Sequence, residues 1–262
     1  MKYKLISYQS PNDDFPPLLK KFNYIQPLAE EEILALMKLH QYSTIIDKET
    51  VFLEQGEVRN KSFIVMEGWA YRYSSLESGN QQIINYYLPG DVISPFALVM
   101  PKVSYSVATT SSRLQVCVFE PDVLIELFSI YPRLAILYGW MLGREDASMA
   151  EQVIRLGRHS AYKRTAHLLL ELFHRLKVIG INDENTFHAP LTQQLLADTL
   201  GLSLVHINRT LKKLQKENLI NISAKEIWLL DITKLKQIAE YRIYYLDEIK
   251  KLNTANIPSL AA

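Results

Sequence analysis

The sequence contains one cysteine, Cys117, among 262 residues. A single thiol excludes an internal disulfide framework, and it excludes an iron–sulfur cluster or a zinc site built from several thiolates of one chain. Because Cys117 lies in the apolar, strand-like run 115–119, we expect a buried core thiol rather than a redox sensor. This cysteine usage favours a reducing cytoplasm.

Long apolar runs are also missing. No segment approaches the roughly 20 consecutive apolar residues that a membrane span requires, and residues 1–10 lack the apolar core of a secretory signal. We therefore expect a soluble, unexported protein of the cytoplasm that has no membrane partner.

The sequence also lacks motifs for catalysis. It has no Gly-x-Ser-x-Gly elbow, no phosphate-binding loop and no pair of zinc ligands. His159, His167 and His174 lie on or beside one predicted helix, where we expect them to cap or pack. The sequence thus predicts a protein that is not an enzyme and that holds no metal and no cofactor.

Net charge is small, at +1, but it is unevenly distributed. Residues 1–154 hold 13 Lys+Arg against 18 Asp+Glu, a balance of −5, whereas residues 155–262 hold 16 against 10, a balance of +6. A basic half is a candidate for binding a polyanion. An excess of solvated lysines would give the same count, so the charge needs a motif beside it.

The first half of the chain reads as a β domain. Residues 1–26 show no sustained period and predict an N-terminal arm of unknown role, and Pro27–His40 predicts a short leading helix. From Tyr42 to about Glu120, short apolar or alternating runs are separated by turn residues, which is typical of a double-wound β-barrel or jelly roll. We assign residues 27–130 to a β-barrel sensor domain with flanking helices.

Two helices are predicted next, over Asp122–Ile130 and from Pro132 to about Arg158. Residues 131–158 carry apolar side chains at alternating steps near 3.5, interrupted by Asp146, as in a two-stranded coiled coil. We predict a homodimer interface made by Tyr138, Leu142, Met149, Val153 and Leu156. The alternative is a helix that packs against its own barrel.

Residues 159–262 predict a winged helix-turn-helix domain. After a helix from Ser160 to about Lys177, Thr192 caps a short helix, Gly201 makes a tight turn and Ser203 caps a second helix. A buried stripe is predicted for Leu204, Ile207, Leu211 and Leu214. This stripe places a polar, basic set on the exposed side: Val205, His206, Asn208, Arg209, Lys212 and Lys213.

The exposed set has the chemistry of a recognition helix in the major groove. Arg209 can donate two hydrogen bonds to guanine, His206 can donate or accept, and Val205 can contact a thymine methyl group. Ser203 can bond a phosphate. Downstream, residues 219–222 and 227–230 predict a β-hairpin wing with Lys225 at its tip, placed to contact the DNA backbone.

Three segments resemble the DNA-binding domain of Crp/Fnr transcription regulators: Leu156–Leu169 (LGRHSAYKRTAHLL), Pro190–Ser203 (PLTQQLLADTLGLS) and Val205–Leu211 (VHINRTL). The resemblance extends upstream through the Gly56, Gly68 and Pro89-Gly90-Asp91 turns of a cyclic-nucleotide-binding barrel. It implies an α+β fold with a barrel, a long dimerisation helix and a C-terminal winged helix-turn-helix. It also implies that Ser203, Val205, His206 and Arg209 face the groove of double-stranded DNA.

The resemblance further implies function. A regulator of this family reads a near-palindromic operator as a homodimer, with recognition helices about 34 Å apart, and contacts RNA polymerase as an activator. The competing hypothesis is a ligand-binding module that regulates a partner protein, as such barrels do in kinases and channels.

The sensor departs from the family pattern. Cyclic-AMP-binding members carry a Gly-Glu pair and an Arg-Ser or Arg-Thr pair, but here Ser94-Pro95 stands at the first position and no arginine stands near Tyr105 in the sequence. We therefore predict no tight cyclic-nucleotide binding. His40 is expected in the core or at the surface rather than on haem. The effector stays unidentified, and its candidate pocket comprises Ser94, Phe96, Lys102, Tyr105 and Ser106.

Overall fold

The computed structural model describes residues 6–7, 15–77, 79–94, 97 and 99–242. Two helices precede the main part of the barrel, α1 (Pro17–Ile25) and α2 (Glu30–Met37), and a 3-10 turn over Lys38–His40 follows α2. The predicted leading helix is confirmed.

Helix α1 corrects the prediction of an irregular arm over residues 1–26. Pro17 occupies a first helical position, where its missing N–H group costs nothing. Leu18, Leu19 and Phe22 are at most 1% exposed and belong to the core beneath the barrel. The helix is therefore part of the barrel domain, held there by its apolar face.

Nine strands form the barrel among the described residues, a two-residue strand before α1 and eight strands after the 3-10 turn. They form two antiparallel sheets with the strand orders β1-β2-β9-β4-β7 and β3-β8-β5-β6. The strands are β1 (Ile6–Ser7), β2 (Tyr42–Ile46), β3 (Val51–Leu53), β4 (Ser62–Glu67), β5 (Ala70–Ser75), β6 (Gln81–Tyr87), β7 (Val92–Ile93), β8 (Ser106–Thr109) and β9 (Leu114–Phe119). The predicted barrel is confirmed.

Two of the predicted turns require glycine. Gly68 has φ +78°, and a Cβ atom there would lie 2.0 Å from the Arg113 carbonyl oxygen. Gly90 has φ +82°, and its Cβ would lie 2.7 Å from the Pro17 carbonyl oxygen. Any side chain at Gly90 would therefore push the β6–β7 turn away from the start of α1.

Helices α3 (Asp122–Ile130) and α4 (Pro132–Arg158) follow the barrel, with the bounds that the sequence predicts. The face of α4 that carries Leu134, Leu137 and Tyr138 is buried in its own protomer, and the Tyr138 ring lies 5.3 Å from the Phe128 ring. The inclusion of Tyr138 in a dimer interface is therefore wrong, because its ring already packs in the barrel domain.

The exposed face of α4 is a different stripe from the predicted one. Steps of three and four residues connect a series in which every member is exposed: Ile136, Gly139, Gly143, Asp146, Ala150, Val153 and Gly157. Of the predicted seam, only Val153 belongs to this stripe, whereas Leu142, Met149 and Leu156 are half-buried. Helical periodicity separates the faces of a helix, but it does not tell which face meets the barrel.

The C-terminal domain consists of four helices and a small sheet among the described residues. Its elements are α5 (Ala161–Lys177), β10 (Thr186–His188), α6 (Gln193–Leu200), α7 (Leu204–Lys216), β11 (Ile220–Ser223), β12 (Glu226–Leu229) and α8 (Ile232–Ala239). The sheet has the order β10-β12-β11. The predicted winged helix-turn-helix is confirmed.

This domain packs directly on the barrel of the same chain. Barrel side chains Trp69, Tyr71 and Ile83 share one buried apolar cluster with α5, α6 and α7.

In the part of the chain that the structure describes, no helix combines the length and the apolar character needed to cross a bilayer.

Candidate nucleic-acid interface and sensor cavity

Local hydrogen bonds fix the helix-turn-helix. The Thr192 hydroxyl oxygen accepts from the Leu195 N–H at 3.1 Å, and the Ser203 hydroxyl oxygen accepts from the His206 N–H at 3.3 Å. Between them, Gly201 adopts the left-handed conformation with φ 61° and ψ 43°. Both predicted caps and the predicted turn are confirmed, and they set the angle between α6 and α7.

One side of α7 is buried and the other is open. Ile207, Leu211 and Leu214 are at most 5% exposed, as their spacing predicts. Leu204 is 45% exposed, so its assignment to the buried stripe is wrong. Leu204 is the first residue of α7, and the described part of the protomer leaves its side chain partly uncovered.

The exposed side of α7 presents most of the predicted DNA-contacting residues together. Val205 is 69% exposed, and His206, Arg209 and Lys212 are exposed beside it. The Ser203 hydroxyl accepts the capping bond, which leaves its hydrogen available for a phosphate oxygen. Groups able to contact base edges therefore lie near the start of α7, and cations lie farther along it.

Two members of the predicted set are engaged within the protein. The Asn208 amide donates to Gln193 Oε1 at 3.1 Å and so ties α7 to α6. The Lys213 ammonium lies 4.5 Å from the centre of the Tyr162 ring and 4.0 Å from Glu217 Oε1. Asn208 thus helps to fix α6 relative to α7. The Lys213 ammonium group is directed toward Tyr162 and Glu217.

The predicted wing is formed by β11 and β12. Ala224 and Lys225 make its tight turn with φ 49° and 70°, and Lys225 lines one groove with Lys212. The Lys225 ammonium donates to the Ser111 carbonyl oxygen of the barrel at 2.9 Å. In this arrangement the wing lysine therefore ties the DNA-binding domain to the sensor domain.

Helix α6 is also held by the barrel. The Tyr86 hydroxyl on β6 contacts Thr199 Oγ1 at 2.5 Å and the Leu195 carbonyl oxygen at 3.3 Å. The Gln82 amide donates to the carbonyl oxygens of Asp198 and Thr199 at 2.9 and 3.2 Å. Because these bonds end on the first helix of the motif, a movement of the β5–β6 hairpin would move the motif.

A buried ion pair connects α4 with α5. Arg155 Nη1 lies 2.6 Å from Glu171 Oε2, and Ser148 donates to Glu171 Oε1 at 2.7 Å. Burial alone would raise the pKa of Glu171, but Arg155 and Arg175 outweigh it and hold the pKa at about 2. Glu171 is therefore a carboxylate at neutral pH, and it is fully satisfied.

A cluster of three charged groups joins α1, the Pro89-Gly90-Asp91 turn and α5. Asp91 lies 2.6 Å from Lys21 Nζ and 2.9 Å from Arg175 Nη2. Burial opposes ionisation here too, yet the two cations lower the pKa of Asp91 to about 2. The barrel turn that the sequence singled out is thus bonded to the DNA-binding domain.

A cavity of about 320 Å³ lies between the barrel and α4. Two arginines of its wall flank the Tyr105 ring, with the Arg59 and Arg72 guanidinium carbons 4.7 and 5.4 Å from the ring centre. The sequence has no arginine near Tyr105, but the fold places two arginines beside it. Arg59 and Arg72 precede Tyr105 by tens of residues. The pairing of β5 with β8 brings Arg72 to it, and a loop contact between the Arg59 N–H and the Pro101 carbonyl oxygen brings Arg59.

The predicted pocket residues separate into three groups. Ser94 and Tyr105 line the cavity. Lys102 is exposed and Ser106 is buried, with its hydroxyl oxygen accepting from the Gln55 N–H, and neither lines the cavity. Phe96 lies outside the described residues.

Comparisons with known proteins agree with this architecture. The model of the cyclic nucleotide-binding domain matches residues 45–131, and that of the Crp-like helix-turn-helix domain matches residues 163–238. Transcriptional activatory protein AadR of Rhodopseudomonas palustris is 30% identical over 204 residues, covering 77% of this chain and 82% of AadR. The nitrogen fixation regulation protein FixK of Bradyrhizobium diazoefficiens is 30% identical over 192 residues, covering 73% and 78%.

The chain belongs to the Crp/Fnr family of transcription regulators. Among solved structures, FixK2 from Bradyrhizobium japonicum matches with a TM-score of 0.66 at 23% identity, covering 76% of this chain and 98% of FixK2. This likeness shows the fold, with a β-rich domain, a long helix and a helix-turn-helix in the same order.

Two residues of this Crp/Fnr protein that could serve redox or haem chemistry, Cys117 and His40, are buried in the core. Burial raises the pKa of the Cys117 thiol to about 12, and the residue is 0% exposed. His40 is 1% exposed, its Nδ1 lies 2.9 Å from the Leu36 carbonyl oxygen, and burial lowers its pKa to about 4. Among the described residues, no three His, Cys, Asp or Glu side chains are grouped to hold a metal ion.

Proposed function

We propose that this protein is a sequence-specific DNA-binding regulator that reads a near-palindromic operator as a homodimer. The observation that carries the proposal is the open face of α7, where Val205, His206 and Arg209 are exposed together on a helix whose N-terminus is capped by Ser203. Such a face fits the major groove. It also argues against a module that acts only on a partner protein, because that function needs no base-reading helix.

The exposed stripe of α4 supports the homodimer. Its three glycines, Gly139, Gly143 and Gly157, have no heavy atom within 4 Å of an added Cβ, so nothing in the described protomer covers them. Glycine and alanine allow two helix backbones to approach closely, and Ile136 and Val153 supply apolar contacts at either end. We propose this stripe as the pairing surface, in place of the seam that the sequence predicts.

The remaining parts of the proposed function follow from the family. We propose that the dimer acts in the cytoplasm as an activator that contacts RNA polymerase. We also propose that it does not bind cyclic AMP tightly, since Ser94 and Pro95 stand where cyclic-AMP-binding relatives carry glycine and glutamate.

The experiment is selection of bound duplexes from a randomised pool by the purified protein, with and without cyclic AMP. We expect one near-palindromic site whose half-sites are one helical turn apart, enriched equally in both arms. Enrichment that depends on cyclic AMP would contradict the proposal about the cavity. No enrichment in either arm would contradict sequence-specific reading by the protein as purified.

A further inference from the structure

The cavity beside α4 contains a buried positive charge without a counter-charge. Arg59 is 3% exposed, and its guanidinium donates to the Ser94 hydroxyl at 3.2 Å and to the Tyr105 carbonyl oxygen at 2.7 Å. Its Nε atom is buried and has no hydrogen-bond partner. Among the described residues, no carboxylate lies within 4 Å of Arg59.

This arrangement is costly for a folded protein. A charged group loses its hydration on burial, and neutral acceptors recover only part of that loss, so buried charges are normally paired. The neighbouring Arg72 follows the rule, because its Nη1 lies 2.9 Å from Glu145 Oε1. Arg59 is the exception on the same wall, and exceptions of this kind occur where a ligand supplies the missing charge.

The rest of the wall indicates the body of such a ligand. Apolar side chains from the barrel and from α4 dominate it: Val92, Ala97, Met100, Val103, Leu142 and Met149. The volume of about 320 Å³ falls within the range of small-molecule sites. Glu145 and Asp146 also line the cavity, the first paired with Arg72 and the second exposed, so they would repel a ligand that carries several negative charges.

We propose that this cavity binds a small organic carboxylate with an apolar body, and that Arg59 binds its carboxylate group. One guanidinium fork matches one carboxylate. A cyclic nucleotide would place part of its polar base and ribose against the apolar side chains of this wall.

The proposal extends to regulation. Leu142, Glu145 and Met149 connect the cavity with α4, whose neighbouring face carries the proposed pairing stripe, and Asp146 belongs to both. Occupancy of the cavity would therefore bias the position of α4 and of the DNA-binding domain bonded to it. This regulation rests on the proposed DNA-binding function, whereas ligand binding itself does not.

The test is thermal unfolding of the full chain with octanoate, with its neutral counterpart octan-1-ol and with cyclic AMP. The variants are Arg59→Met, Arg59→Lys and, as a matched control, Arg113→Met at an arginine that is 75% exposed. We expect octanoate at ten times its Kd to raise the Tm of the unsubstituted chain by about 3–6 °C. Octan-1-ol and cyclic AMP should leave the Tm unchanged.

The variants separate a binding residue from a structural one. Without ligand, Arg59→Met should unfold at a higher temperature than the unsubstituted chain, because the unpaired charge is gone, and it should not respond to octanoate. Arg59→Lys should keep part of the response, and Arg113→Met should keep all of it. If Arg59→Met does not fold, the partial response of Arg59→Lys decides.

Several outcomes would overturn the proposal: equal stabilisation by octanol and octanoate, a full response in either Arg59 variant, a response to cyclic AMP alone, or no response to any of the three. None of these depends on DNA. Failure of the DNA selection with an intact octanoate response would instead contradict the proposed function.

Discussion

Arg155 on α4 and Glu171 on α5 form an ion pair at 2.6 Å, and each side chain is 3% exposed. This pair lies where α4, which carries the proposed pairing stripe, meets α5, which begins the DNA-binding domain. Ser148 from α4 and Arg175 from α5 complete the surroundings of the carboxylate. The orientation of the DNA-binding domain relative to α4 is therefore set by a buried polar network, which tolerates only a few geometries.

Substitution of either partner should be strongly destabilising. We expect Glu171→Gln and Arg155→Met each to lower the free energy of unfolding by about 3–5 kcal/mol, since each removes one partner of a buried ion pair. The double variant should lose less than the sum of the two, with a coupling energy of about 1–3 kcal/mol. Urea unfolding measures this cycle, and Arg113→Met, at an exposed pair, should show no measurable loss. Strictly additive losses would show that the pair does not act as a unit.

Acid should destabilise the protein through two carboxylates. The pKa values of Glu171 and Asp91 are about 2 in the folded protein, below their ordinary values of 4.5 and 3.8. A depressed pKa contributes stability that is present above the ordinary value and is lost as pH falls toward the folded one. The urea midpoint should therefore fall between about pH 4.5 and 2. The fall should be shallower in Glu171→Gln, and a midpoint constant over this window would contradict the account.

The pairing stripe can be tested without disturbing the fold. Val153 is 69% exposed, so Val153→Asp removes no packing within the protomer. We expect it to place like charges opposite each other across a two-fold axis and to convert the dimer to a monomer in sedimentation equilibrium. Val58→Asp is the matched control, because Val58 is 61% exposed and lies outside α4. An undiminished dimer in Val153→Asp would place the interface elsewhere.

Elements with strong local signals were predictable from the sequence. Each of these signals is local, because it depends on residues no more than about four positions from the feature itself. The examples are the two ends of α4, the caps at Thr192 and Ser203, and the turn at Gly201. The resemblance to a known family gave the order of the domains. Helix α1 was not predictable in this way, because a proline pair marks a turn as readily as a helix start and a nine-residue helix gives only a short periodic signal.

Contacts between distant segments were not predictable. Tyr138 is apolar enough for a dimer seam and equally suited to the barrel core, and only the placement of α3 decides between them. Arg59 lies in a loop and Arg72 on β5, both far from Tyr105 in the sequence. No local pattern therefore predicts that they flank its ring. The engagement of Lys225 by Ser111 likewise depends on how the two domains pack.

The most direct test of the account compares Arg209→Ala with Lys212→Ala on the selected operator and on random duplexes. Both side chains are exposed on α7, but Arg209 is assigned to a base edge and Lys212 to the phosphate backbone. Fluorescence anisotropy at fixed salt should show that Arg209→Ala loses about 1–3 kcal/mol on the operator and little on random DNA. Lys212→Ala should weaken both duplexes alike and lower the salt dependence. Equal losses on both duplexes for Arg209→Ala would contradict the claim that α7 reads DNA sequence.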